Sequence, residues 1–262
     1  MKSLYQKNVN NQNNIINNSN NNIFNLYSSY NAFLFEYKNN YNSKISVLFY
    51  GIEGTQNQCL NCGINHFNFQ AYFFLSFSLK EVINSKKNDK KIKKKIHKLD
   101  KINNNIIDIL DCFEYYYHQT IILEEDNKIF CNICNKETIS SHNSFLATTP
   151  KILIIILERE QEEQDEIKLE FSVDLDLSKL IKIPQLNNEK VEYKLIGIVD
   201  YQIESEDKKN YVAHCINPID KQWYTYNDDN ISKIDNIQKQ VIDFGKPYLL
   251  FYKKKEQYDG KI

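Results

Sequence analysis

Two Cys-x-x-Cys pairs, Cys59-Leu-Asn-Cys62 and Cys131-Asn-Ile-Cys134, constrain this chain more than any other feature in it. A spacing of two lets one tight turn present two sulfurs to a single ion. Two such turns supply the four soft ligands that a tetrahedral zinc takes. Asn61, Gly63, Asn132 and Asn135 suit these turns, because Gly and Asn tolerate left-handed backbone and leave N–H groups free for sulfur. With 68 residues between the pairs, the metal would act as a long-range clip rather than the centre of a compact finger. Four thiolates leave no position for water. The pattern therefore predicts one structural Zn2+ held by Cys59, Cys62, Cys131 and Cys134. The alternatives are a redox pair, which shares this spacing, or one pair arising by chance; zinc is favoured because both pairs sit beside predicted strand edges. Cys112 reads as a buried apolar residue. His66, near the first pair, reads as a surface residue rather than a further ligand.

The chain has 262 residues, 42% of them hydrophobic, with 18 Tyr and 15 Phe, enough to build a sizeable core. A net charge of −1 gives no electrostatic basis for nucleic acid or an acidic membrane as partner. The most apolar run, Ile152 to Leu157, is too short to span a bilayer, and the polar N-terminus lacks the apolar stretch of an export signal. Six Cys without such a signal point to a reducing compartment, cytosol or nucleus.

Along the chain, residues 1–22 are Asn-rich and predict a disordered tail. Residues 23–37 space aromatics as an amphipathic helix, with strand as the alternative, and residues 45–50 predict a strand entering a turn at Gly51 and Gly54. A strand is expected over 67–79. A basic insert over 80–101 follows, with ten Lys against Glu81, Asp89 and Asp100. It reads as a solvated surface insertion ahead of a patch for an acidic partner. Residues 106–123 are spaced as a helix. Strands are then predicted at 152–157, 167–171, 193–201, 211–216, 223–226 and 248–252, the first two separated by an acidic loop over 158–166. The last three suggest an antiparallel meander or sheet, and 254–262 a polar tail. The fold class is α+β, mainly antiparallel sheet with few helices, a zinc-pinned β element projecting from a larger sheet.

In this order, the segments resemble the ubiquitin-specific proteases, the cysteine deubiquitinases also called ubiquitin carboxyl-terminal hydrolases. Phe49-Tyr50-Gly51 resembles the Phe-x-Gly turn ahead of that family's first Cys pair, and Phe74-Leu75-Ser76-Phe77-Ser78-Leu79 its Leu-Ser-Leu-like motif. Pro150 to Arg159 is similar to its Pro-x-x-Leu strand after the second pair. Tyr211-Val212-Ala213 and Trp223 to Asp229 resemble the block around the catalytic His and the third triad residue, and Pro247 to Tyr252 the closing strand. The resemblance implies a hand-like fold of fingers, palm and thumb, with residues 23–253 forming its fingers and palm.

It also has gaps. No Asn-x-Gly-Asn-Thr-Cys segment for the nucleophile stands before Phe49, and some 45 residues there leave no room for a full thumb. Lys209-Asn210-Tyr211 occupies the Gly-His-Tyr motif, so Asn210 stands at the general base, and an amide cannot accept a thiol's proton near pH 7. Asn227 matches the third triad position, with Asp228 after it. His214 lies four residues beyond Asn210, roughly 13 Å along a strand at about 3.3 Å per residue. Asp200-Tyr201-Gln202 replaces an upstream His-x-Gly. No triad is intact. The expected protein is a pseudoenzyme serving as a ubiquitin-binding or scaffold module, its ubiquitin binding weak, with a protein partner over exposed palm surface. The alternatives are an active deubiquitinase completed by a missing or separate Cys segment, and a zinc-stapled structural subunit of a larger complex.

Overall fold

The computed structural model of the chain describes residues 22–88, 105–159, 167–183, 190–205 and 208–256. The Asn-rich segment up to residue 21, positions 89–101 of the basic insert, the acidic loop at 160–166 and the end of the polar tail lie outside them. Helix α1 spans residues 22–40. Leu26 and Tyr30, four apart, are buried on one face while Phe24 and Phe35 are exposed, so the aromatic spacing is helical.

Lys44–Phe49 forms a second helix, α2, where the sequence predicts a strand. The cause is local. The Ser46 N–H donates to the Ser43 hydroxyl and the Ser43 N–H donates to the Ser46 hydroxyl, a capping box that satisfies the first turn. Ser43→Ala is expected to cost about 1 kcal/mol locally. Hydrogen exchange would read this as a roughly fivefold faster exchange of the Val47 and Tyr50 amides, which bond back to Ser43 and Ser46. Unchanged exchange there would show that tertiary packing, not the cap, holds α2.

Pairing begins at β1 (Gly51–Cys59), which forms a hairpin with β2 (Asn65–Tyr72) across the first Cys pair. The predicted strand over 67–79 is really two, β2 and then β3 (Leu75–Ser78), followed by α3 (Leu79–Asn88), so the basic insert starts as a helix. The predicted helix over 106–123 divides into β4 (Ile106–Asp108), α4 (Ile109–His118) and β5 (Ile121–Leu123). Asp108 decides this boundary, accepting the Leu110 N–H while its own N–H donates to Asp111. The hairpin of β6 (Ile129–Cys131) and β7 (Lys136–Thr138) carries the second Cys pair in its turn. The remaining strands are β8 (Ser140–Thr148), β9 (Ile152–Glu158), β10 (Lys168–Glu170), β11 (Asp174–Asp176), β12 (Glu192–Ser205), β13 (Lys208–Ile216), β14 (Trp223–Asn227), β15 (Asn230–Ile234) and β16 (Pro247–Lys254).

Two sheets organise these elements. The finger sheet has the order β2-β1-β8-β5, and the palm sheet β15-β14-β13-β12-β16-β9-β3. The expected meander of the last three strands is only half formed. β13, β14 and β15 are consecutive neighbours, but β16 inserts between β12 and β9. Leu250 and Tyr252 on β16, like Leu153, Ile155 and Leu157 on β9, are fully buried, so these strands belong at the centre of the sheet and not at its edge. Helices α3 and α4 cover that face, with Val82, Cys112 and Phe113 fully buried and Phe113 meeting Phe77 edge-on at 5.1 Å. A second apolar cluster forms where Leu26 and Tyr30 of α1 pack on Ile52, Phe145 and Ala147 of the finger sheet.

Candidate metal centre and triad-like site

Cys59 closes β1 and Cys131 closes β6, so two strand ends bring the two turns face to face. The Gly63 N–H donates back to the Cys59 carbonyl, and Gly63 at φ 76° and Asn135 at φ 51° adopt the left-handed backbone that each turn needs. The four Sγ atoms of Cys59, Cys62, Cys131 and Cys134 lie within 4.8 Å of one another. Cys59 and Cys134 are 3.9 Å apart, and Cys62 and Cys131 3.6 Å. Sulfurs at about 2.3 Å from a tetrahedral zinc would be about 3.8 Å apart, so the donor set fits such an ion in both chemistry and spacing.

The surroundings favour a thiolate at Cys59. Burial resists ionisation of Cys59, but its hydrogen bond with the Thr138 hydroxyl at 3.3 Å and the N–H groups of Cys62 and Asn61 outweigh it and bring the thiol down to about 6. Cys62 is pushed up to about 12, first by burial and then by the three neighbouring sulfurs, a repulsion that a dication cancels. The Asn61 side-chain amide donates to Cys134 Sγ at 3.1 Å. Thr138 is a supporting residue that sequence spacing could not reveal. It reaches Cys59 only because β7 folds beside the end of β1.

In the palm sheet, β13 and β14 bring the triad-like positions together. The Asn210 side-chain amide donates to Asn227 Oδ1 at 3.1 Å, and Asn210 Oδ1 accepts the Tyr211 N–H at 2.9 Å. Asp228 sits in the following turn at φ 48°. His214 is buried in the sheet. Its Nε2 lies 3.3 Å from Asp200 Oδ2 and its Nδ1 3.0 Å from Thr225 Oγ1. Asp200 and Thr225 were missed as partners because only the cross-strand register sets them beside this imidazole. Cys215 points the other way, toward Gly197, and burial raises its thiol above the usual range. Cys112 is fully buried. His66 lies outside the four-sulfur cluster and is half-buried, its Nε2 buried without a hydrogen-bond partner among the described residues.

A model of the family described as ubiquitin carboxyl-terminal hydrolase matches residues 13–252. Ubiquitin carboxyl-terminal hydrolase 5 of Arabidopsis thaliana is 28% identical over 157 residues, covering 58% of this chain and 16% of its own. Ubiquitin carboxyl-terminal hydrolase 25 of the same plant is 25% identical over 226 residues, covering 83% and 29%. Among solved structures, the SAGA Ubp8/Sgf11/Sus1/Sgf73 DUB module bound to ubiquitin aldehyde shares the fold, with a TM-score of 0.60 at 19% identity over 89% of this chain and 48% of that chain. The chain thus spans under a third of these two relatives and about half of the solved one.

Proposed function

The chain belongs to the ubiquitin carboxyl-terminal hydrolase family, and from that premise we propose that it is a zinc-pinned pseudoenzyme, a ubiquitin-binding or scaffold module formed by one domain over residues 23–253. The observation that carries this reading is the pair of amides at Asn210 and Asn227, joined to each other at 3.1 Å. An active member needs an imidazole at the first position, oriented by the second, to take the proton of a nucleophilic thiol. Two amides satisfying one another offer no such base. His214 is no substitute, being more than nine-tenths buried and held between Asp200 and Thr225. Cys215 is no substitute nucleophile, because it lies on the opposite face of the strand from His214.

The four-sulfur cluster supports a structural role for zinc, which would tie β1 to the β6–β7 hairpin and supply no reaction chemistry. The neighbouring solved module is bound to ubiquitin aldehyde and to further subunits. By analogy we assign this chain ubiquitin as a weak ligand, with a dissociation constant in the micromolar range or above. A protein partner would cover the palm row of partly buried Ile154, Ile156, Leu249 and Phe251.

A ubiquitin probe carrying a C-terminal electrophile tests the reading. The purified chain is expected to stay unlabelled, and Asn210→His alone to leave it so. Labelling at any cysteine of the wild-type chain would overturn the pseudoenzyme reading in favour of an active deubiquitinase.

A further inference from the structure

Within the four-sulfur cluster, Cys59 and Cys131 are buried, while Cys62 and Cys134 are half-buried. Each half-buried sulfur lies against a buried one from the other turn. Cys62 Sγ is 3.6 Å from Cys131 Sγ, and Cys134 Sγ is 3.9 Å from Cys59 Sγ. These separations are close to van der Waals contact, and the two pairs use each cysteine once. Three hydrogen bonds that need no metal also join the first turn to the segment 134–139. The Asn61 side-chain amide donates to Cys134 Sγ at 3.1 Å, Cys59 Sγ meets Thr138 Oγ1 at 3.3 Å, and the Leu60 N–H donates to the Ile139 carbonyl at 3.0 Å. Two of the three end on the sulfurs of the Cys59–Cys134 pair.

We propose that the cluster is a redox-sensitive switch, closing on oxidation into two disulfides across the turns, Cys59–Cys134 and Cys62–Cys131, with release of its metal. The inference rests on these cysteines forming the structural zinc site. The oxidant is a peroxide. The thiolate of Cys62 or Cys134, the more accessible sulfurs, attacks one peroxide oxygen. The O–O bond breaks, hydroxide leaves and a sulfenic acid forms. The thiolate of Cys131 or Cys59 then attacks that sulfur; the S–S bond forms as the S–O bond breaks, releasing a second hydroxide. Each disulfide thus passes two electrons to one peroxide, and two peroxides consume all four thiolates. A sulfur held in a disulfide has lost the negative charge that binds a dication, so the metal leaves as the bonds form. Pairing across the turns is favoured over pairing within each Cys-x-x-Cys. Disulfides inside that short motif are readily reduced, whereas structural disulfides in a folded chain resist reduction. The cross-turn bonds also join residues 75 and 69 apart in the chain, so each constrains the unfolded state. The finger is then tied to the β6–β7 hairpin by zinc when reduced and by sulfur–sulfur bonds when oxidised.

Hydrogen peroxide added to the zinc-loaded chain tests the switch. Trypsin cuts after Lys44, Lys80, Lys128 and Lys136, leaving one Cys pair in residues 45–80 and the other in 129–136. Without reductant the two peptides are expected to travel as one linked species. Fragmentation between Cys59 and Cys62 should assign Cys59 to Cys134 and Cys62 to Cys131. Zinc should enter solution at one ion per linked chain, and a thiol reductant with added zinc should reverse both changes. The oxidised chain should keep its thermal transition in a strong chelator, where the reduced chain loses it. Two separate peptides, each with an internal disulfide, would overturn the cross-turn pairing while leaving the zinc site intact. So would sulfinic or sulfonic acids with no linked peptide. A purified chain that carries no zinc would overturn the metal site itself, and the switch with it.

Discussion

Removing metal from the four-cysteine cluster is expected to unfold the finger and to lower or abolish the thermal transition of the chain. Metal analysis of the purified protein should find about one zinc per chain, and a strong chelator should release it. The size of the effect follows from what the ion replaces. β6 and β7 have three residues each and pair only with one another, too little to stand alone in water. Beyond the Thr138–Cys59 hydrogen bond, their tie to β1 is the sulfur cluster, whose two Cys pairs have 68 residues between them in the chain. Structural zinc supplies on the order of 10 kcal/mol, while a whole domain is stable by only about 5–15 kcal/mol. Cys59→Ser and Cys131→Ser should each behave like chelation, since a serine hydroxyl is a poor ligand for a soft site. Loss should begin at the β6–β7 hairpin and reach the palm last, because none of the four cysteines is among the described residues of the palm core under α3 and α4. A metal-free chain with an unaltered transition would refute this account.

The second large effect concerns the buried Asp200–His214 pair. Both side chains are over nine-tenths buried, and the contact between them is 3.3 Å. Asp200 Oδ1 already lacks a partner, so the pair is strained for satisfaction even when intact. Asp200→Ala would leave the imidazole Nε2 buried with nothing to meet it, and is expected to cost about 3–4 kcal/mol in urea denaturation. Replacing the pair by Asp200→Leu together with His214→Phe should recover most of that loss, because two apolar side chains leave no polar atom stranded. Gly245 limits what fits there, as even a methyl group on it would come 2.7 Å from Asp200 Oδ2. An Asp200→Ala cost below about 0.5 kcal/mol would show that water or movement already relieves the site.

Much of this protein could be read along the chain. The two Cys pairs specified their own turns, since Gly63 and Asn135 take the left-handed backbone that only a few residue types tolerate. The continuous apolar run within Ile152–Glu158 marked a strand, and the spacing of Leu26 and Tyr30 marked a helix face. These are local properties, set by side-chain period and backbone sterics. Local signals misled where capping outweighed them. Lys44–Phe49 has the composition of a strand but the Ser43–Ser46 box makes it a helix. What the sequence by itself determined was therefore the four-cysteine donor set, the family likeness and the amides at Asn210 and Asn227. Only the tertiary structure decided that β16 lies between β12 and β9, that Thr138 supports Cys59, and that Asp200 and Thr225 enclose His214. Each of these depends on which strands become neighbours and in what register. That choice is made by burying apolar faces from distant segments against one another, and no local stretch of the sequence encodes it.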